Sequence, residues 1–344
     1  MTTGPRLSNA SRARMQARAR FLEDNKDRLA IDGDVHPTPP ALVPADMAAR
    51  MDADPNYFHG HPLLSGTFLE NLDLAGLDMA LCWQNPSTVI YTDDLETNTD
   101  ALRNSNEAIA ALADAYPERV IPAGWTDPKA LGVANAIAIA RHCVETLAMP
   151  VVKMNPAQNA YPIDDPMVLE TLDEIVAMGA IPAFHFGADT EFTPTEGLVS
   201  VAARHPDHPV IAVHMGGGGA HFVVAEETYQ TARAAGLENP NIFYILSAKR
   251  DVHMVSDLIT YAAAGDPSCR NIALGSDAPY GDMLFQFSGF RALFDAFAGA
   301  SYPEQRLAQN PALFDPATVQ GFMGRNMAEL VANAYGRIVE RAAA

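Results

Sequence analysis

Short apolar runs recur along this chain, and between them lie longer stretches in which apolar residues return every three or four positions. The runs are LAIDGDVH (29–36), LDMALCW (77–83), RVIPAGW (119–125), MPVVKMN (149–155), AIPAFHF (180–186), PVIAVHM (209–215), NIFYILS (241–247) and NIALGSD (271–277). They read as strands and the stretches between them as helices. PMVLETLDEIVAMG (166–179) is the plainest helix: Val168, Leu172, Ile175 and Val176 recur at helical spacing, and Gly179 supplies a C-terminal stop. Strands alternating with helices predict an α/β fold with parallel pairing and right-handed crossovers. Eight such units are what a (β/α)8 TIM barrel requires. The competing architecture, a doubly wound open sheet, usually shows a glycine-rich phosphate signature in its first turn, and neither GxGxxG nor GxxxxGK[ST] occurs.

This pattern divides the chain into an N-terminal helical arm (1–28) and a barrel domain (29–344) whose tail, about 316 to 342, forms a closing helix. The arm carries Arg12, Arg14, Arg18 and Arg20 on an otherwise acidic protein and reads as a surface or subunit-contact element. Two segments exceed ordinary loops, 37–64 and 84–99. Each follows a predicted strand C-terminus, where barrels place their active sites, so both are expected to act as lids or substrate walls.

Composition narrows the partner. The 344 residues are 48% hydrophobic, ample for a large core, and the formal charge is -19. Such an acidic balance argues against nucleic acid and against an anionic membrane surface, and favours a small molecule. Three cysteines (Cys82, Cys143, Cys269) without CxxC spacing give neither a disulfide framework nor a thiolate zinc site. With no apolar run near the length of a membrane span and no signal-peptide core, a reducing, cytoplasmic setting is expected.

The polar residues at the strand ends carry the chemistry. Asp32, Asp34 and His36 alternate through the first strand and so share one face. Lys153, His185, His214 and Asp277 close the fourth, fifth, sixth and eighth runs. A barrel gathers these ends at one mouth, and imidazole with carboxylate suits one divalent metal ion, zinc first and manganese next. Trp83, Trp125, Arg250 and Tyr280 follow strands two, three, seven and eight and are expected to line a pocket for a planar acid. Glycines 216 to 219 read as a tight turn that lets substrate approach the backbone rather than as a phosphate cradle. His59 and His61 have ligand-like spacing but sit in a loop and are expected to be solvated or part of a lid. No role is given to His142, His205, His208 or His253.

Asp32-Gly-Asp34-Val-His36, Phe184-His185, His214 before the glycine run, and Gly275-Ser276-Asp277-Ala-Pro279 stand in order on successive predicted strands. In this the chain, from about residue 29 to 335, resembles the amidohydrolase superfamily, and within it the amidohydrolase-related branch of aminocarboxymuconate-semialdehyde and γ-resorcylate-type decarboxylases. That family opens Asp-x-His-x-His with both histidines on the metal. Matching its leading Asp to Asp32 puts Asp34 at the first histidine position, as the Glu-x-His of the benzoate decarboxylases does, and His36 at the second. The resemblance implies Asp34, His36, His185 and Asp277 as metal ligands, and His214 as a catalytic base or a residue that positions water; Asp32, which could itself bind metal, is expected instead to hydrogen-bond backbone and brace the site. Lys153 keeps two readings: a carbamylated bridge between two metals, as in binuclear relatives, or a residue that serves structure or binds a substrate carboxylate beside a single metal, which is favoured. Two chemistries follow, non-oxidative decarboxylation of a small aromatic or unsaturated acid, which the acid-x-His opening favours, and hydrolysis of a lactone, ester or amide. A catalytically inactive barrel that binds a small acid is the third reading. Similar enzymes imply a homo-oligomer.

Overall fold

The computed structural model describes residues 4–56, 60–187, 191–217, 226–299, 301 and 312–343. All eight expected strands are present: β1 (Ile31–Val35), β2 (Met79–Cys82), β3 (Val120–Pro122, resuming at Gly124–Trp125), β4 (Val151–Met154), β5 (Ile181–His185), β6 (Val210–Val213), β7 (Ile242–Leu246) and β8 (Ile272–Leu274). Every neighbouring pair is parallel, with registers such as Ala80↔Val120, Trp125↔Lys153, His185↔Val213 and Leu246↔Leu274. The ladder breaks at Ala123, but its N–H still donates to Cys82 O at 2.9 Å. Beyond β8 the chain returns to β1: Asp277 N–H donates to Asp34 O and His36 N–H to Ala278 O, each at 2.8 Å. Those bonds close a TIM barrel.

A helix follows each strand and covers the barrel: α2 (Phe68–Leu74), α3 (Leu95–Ala115), α4 (Val133–Arg141), α5 (Pro166–Ala177), α6 (Thr195–Arg204), α7 (Glu226–Glu238), α8 (Asp251–Ala264) and α9 (Met283–Ala298). α5 shows how local sequence makes one. The Asp165 side chain caps the Met167 N–H at 2.9 Å, and Pro166 opens the first turn, where its missing N–H is not needed. Val168, Leu172, Ile175 and Val176 are buried, and Gly179 leaves the helix at φ 88°.

α1 (Asn9–Asn25) lies along the closing helix α10 (Asn326–Arg341), and its Met15 and Leu22 are buried in the common core. Three of its four arginines are engaged within the chain. Arg12 donates to the carbonyls of Val339 and Ala342, both at 3.3 Å, while Arg14 and Arg18 share the two oxygens of Asp114 at 2.7 and 2.8 Å. The three cysteines are free thiols. Among the described residues no helix is long and apolar enough to cross a membrane.

Candidate active site at the strand C-termini

β1 delivers three acidic or basic side chains, yet they do different work. The register of β1 against β2 shifts between Asp32 and Val35. Asp32 Oδ1 accepts from the N–H groups of Ser276 (2.8 Å) and Asp34 (3.1 Å), fastening β1 to the end of β8. Burial pushes its carboxyl up to about 7, against those hydrogen bonds. Asp34 and His36 point to a shared centre with Asp277: His36 Nε2 is 3.5 Å from Asp34 Oδ1 and 3.3 Å from Asp277 Oδ1. One donor atom from each of the three residues lies within 4.8 Å of the others, and all three residues are buried. The close approach needs Gly275, where a Cβ would stand 2.9 Å from Asp34 Cβ.

The cluster is electrostatically asymmetric. Burial alone would raise Asp34, but the Lys153 ammonium 3.7 Å away and the His36 contact outweigh it and hold the carboxyl well below the usual range. Burial works downward on His36, whereas Asp277 and Asp34 work upward, and the net direction is up. Lys153 Nζ lies over the faces of Trp83 (4.7 Å) and Trp125 (4.9 Å), so a cation is caged between two indoles beside a carboxylate. Trp125 is itself fixed by Asn106, whose side-chain amide exchanges two 2.9 Å bonds with its backbone.

A chain of hydrogen bonds runs on from Asp34. Ser247, the residue after β7, donates its hydroxyl to Asp34 Oδ2 at 2.7 Å, and its Oγ lies 2.9 Å from His214 Nδ1. His214 Nε2 in turn lies 3.1 Å from His185 Nδ1. Donor counting fixes the direction. An ionised Asp34 only accepts, so Ser247 spends its one hydrogen there and must accept from His214 Nδ1–H. Burial lowers the His214 pKa and so favours its neutral ring, whose Nε2 then accepts from His185 Nδ1–H.

Of the residues expected at the site, Asp34, His36, Asp277, Lys153, Trp83 and Trp125 come together. His185, half-buried, stands beside that group with its ring T-shaped against His214 at 4.6 Å between centroids, and is not in the three-residue donor cluster. Tyr280 lies edge-on to His36 at 5.8 Å, and its hydroxyl donates to Asn85 Oδ1 at 2.8 Å. Asn85 also reaches Thr38 Oγ1 at 3.1 Å, so the loops after β1, β2 and β8 are tied together above His36. Arg250 is exposed at the start of α8. His59 and part of the glycine run lie outside the described residues. Nothing in the sequence pattern marks Asn85, and Ser247 is marked only by its place at the end of a strand whose neighbours end in His214 and Asp277.

Residues 31–312 match the family model described as Amidohydrolase. The chain belongs to the amidohydrolase family. No curated protein matches its sequence. Among solved structures, this amidohydrolase resembles an uncharacterized TIM-barrel protein from Bordetella bronchiseptica at 17% identity and TM-score 0.62, over 89% of this chain and 99% of that one. It also resembles 5-carboxyvanillate decarboxylase from Novosphingobium aromaticivorans, complexed with manganese and 4-hydroxy-3-methoxy-5-nitrobenzoic acid, at 13% identity and TM-score 0.62, over 96% and 99% of the two chains. A third likeness is to 2,6-dihydroxybenzoate decarboxylase from Rhizobium, at 15% identity and TM-score 0.57 over 88% and 98%. Likenesses this remote establish the fold.

The residues present suit a divalent cation. Two carboxylates and an imidazole converge, and among the described residues nothing donates a hydrogen bond to the buried Asp34 Oδ1. A buried carboxylate oxygen without a donor is costly unless a cation meets it.

Proposed function

We propose that this amidohydrolase catalyses the non-oxidative decarboxylation of a small aromatic or unsaturated carboxylic acid with one divalent metal ion, zinc or manganese. Asp34, His36 and Asp277 would hold the ion, with His185 Nε2 as a further donor. The observation that carries the reading is the caged cation: Lys153 between Trp83 and Trp125, 3.7 Å from a carboxylate of the candidate metal set. It sets a fixed positive charge beside the metal donors, where the carboxylate of a planar acid would bind. When bound, the metal supplies Lewis-acid neutralisation of the acid's carboxylate and adjacent oxygen.

The chain's own residues do the rest. Lys153 would anchor an anionic oxygen, held in place by the two indoles that cage it. Tyr280, tied to the β2 loop, restricts entry beside His36. As the bond to the carboxylate carbon breaks and CO2 leaves, the electron pair stays on the ring or alkene carbon and takes up a proton. Asp277 would deliver that proton after taking it from solvent, with His214 and its hydrogen-bond chain holding the neighbouring groups in position. The same pair would serve hydrolysis, and the products separate the two.

The test is a panel of phenolic acids and lactones, scored for CO2 release and for acid production, with wild type and Asp277→Asn. We expect CO2 release from at least one phenolic acid, about one zinc or manganese per chain, and no turnover by the folded variant. Acid production from a lactone without CO2 release would replace decarboxylation by hydrolysis. Full activity of Asp277→Asn would remove this residue from the mechanism.

A further inference from the structure

A second buried charge centre lies behind the site, and the mechanism does not use it. Lys249 follows Ser247 by two residues, with Ala248 between them at φ 44°. The Lys249 ammonium is fully buried and paired with the equally buried Asp257 of α8 at 2.5 Å. Asp257 also binds Arg233 of α7 at 2.7 Å. Lys249 Nζ donates at 2.9 Å to the carbonyl of Met215, the residue after His214.

That carbonyl belongs to an unusual turn. His214, Met215 and Gly216 all have positive φ, 77°, 46° and 85°, and Gly217 N–H closes the turn onto His214 O at 3.0 Å. A non-glycine residue in this region is strained and persists only where surrounding groups over-determine it. Here they do. His214 N–H is held by Ile245 O at 2.8 Å and Gly216 N–H by Phe186 O at 2.9 Å, which leaves the Met215 carbonyl for Lys249. Packing says the same: a Cβ at Gly217 would stand 2.6 Å from Lys249 Cβ and 2.7 Å from its Cγ, so the root of the lysine stem packs against the turn at Gly217.

We infer that Lys249, braced by Asp257, is a positioning residue that holds the His214–Gly217 turn and thereby sets the imidazole of His214 against Ser247 and His185. β7 grips the end of β6 twice, the histidine ring through Ser247 and the following carbonyl through Lys249. The inference rests on His214 acting at the proposed site, but its geometric part can be read without turnover.

The experiment compares wild type with Asp257→Asn, with Gly217→Ala and with the double variant Lys249→Met/Asp257→Leu. Asp257→Asn weakens the brace, Gly217→Ala displaces Lys249 without removing a charge, and the double variant removes both charges together. The readout is the ¹⁵N and ¹H resonances of the histidine rings, with circular dichroism to select folded variants. A strut predicts that His214 and His185 shift in every folded variant while His208, hydrogen-bonded to Ala180 O at the other end of the barrel, does not. It also predicts a fall in kcat on the order of 100-fold with KM changed by less than about threefold, since small displacements of catalytic groups act on the chemical step. A lower melting temperature with unmoved His214 resonances in a folded variant would make the pair merely structural and overturn the proposal. A wild type without any turnover would sink the decarboxylase reading and leave the strut standing.

Discussion

Asp34 is the residue on which the site turns, because its two oxygens are used differently. Oδ2 has a committed donor in Ser247, whereas Oδ1 faces His36 and Lys153 at 3.5 and 3.7 Å. Hydrogen bonds to a charged group contribute about 1.5–3 kcal/mol. Ser247→Ala should therefore lower the free energy of unfolding by that amount in a denaturant titration, and it should release His214 from its tautomer as well. A second residue-scale prediction concerns pH. Burial, with a backbone hydrogen bond to Ala180 opposing it, pushes His208 down to about 4 from an ordinary 6.5. Between those values the unfolded chain binds a proton that the folded chain refuses, so stability falls as pH falls through the window. The loss approaches about 3 kcal/mol by pH 4. His208→Gln should flatten the melting temperature against pH between 7 and 4; an unchanged slope would show that the histidine is not responsible. The sequence pattern marks no role for His208, and its consequence here is one of stability.

At the scale of elements, what sequence patterning revealed and what it hid have a common cause. Strands that lie between a packed interior and a layer of helices become continuous apolar runs, which is why all eight were legible. α5 was legible because its buried residues share one side and its ends carry Asp165, Pro166 and Gly179. Contacts between elements distant in sequence leave no such period. The register shift that sends Asp32 to the β8 backbone, and the Ser247 bridge from β7 to β1, depend on which strands neighbour one another once the barrel closes. α1 is the sharpest instance. Its arginines suggested a surface or subunit-contact element, yet Arg18 is buried against Asp114 and Ala148, and Met15 is wholly inaccessible to solvent. If α1 is part of the core, Met15→Ala should destabilise by about 2–5 kcal/mol, as for other buried side chains. Exposed Arg20→Ala should stay within about 0.5 kcal/mol. A Met15→Ala chain as stable as wild type in chemical denaturation would mean that the helix detaches readily from the barrel.

For the molecule as a whole the decisive quantity is charge. The chain carries a formal -19, and two of its carboxylates, Asp34 and Asp277, stand around one imidazole in a buried cluster. Lys153 offsets part of that local charge, but it faces Asp34 and its position is fixed by two indoles. A divalent cation would remove the remaining repulsion and would bind only where the strand ends meet, that is, only in the closed barrel. Ligands selective for the folded state stabilise it by mass action, by about 2.7 kcal/mol at a hundred times the dissociation constant. Stripping the protein with a chelator and restoring manganese should therefore lower and then raise the melting temperature. The recovery should follow manganese concentration and saturate near one ion per chain. Asp34→Asn and Asp277→Asn serve as controls that separate this site from loose binding to an acidic surface. Each removes one negative charge of many, so a surface effect would survive nearly intact in both, whereas a site built from these two carboxylates would lose most of the manganese-dependent recovery in either one.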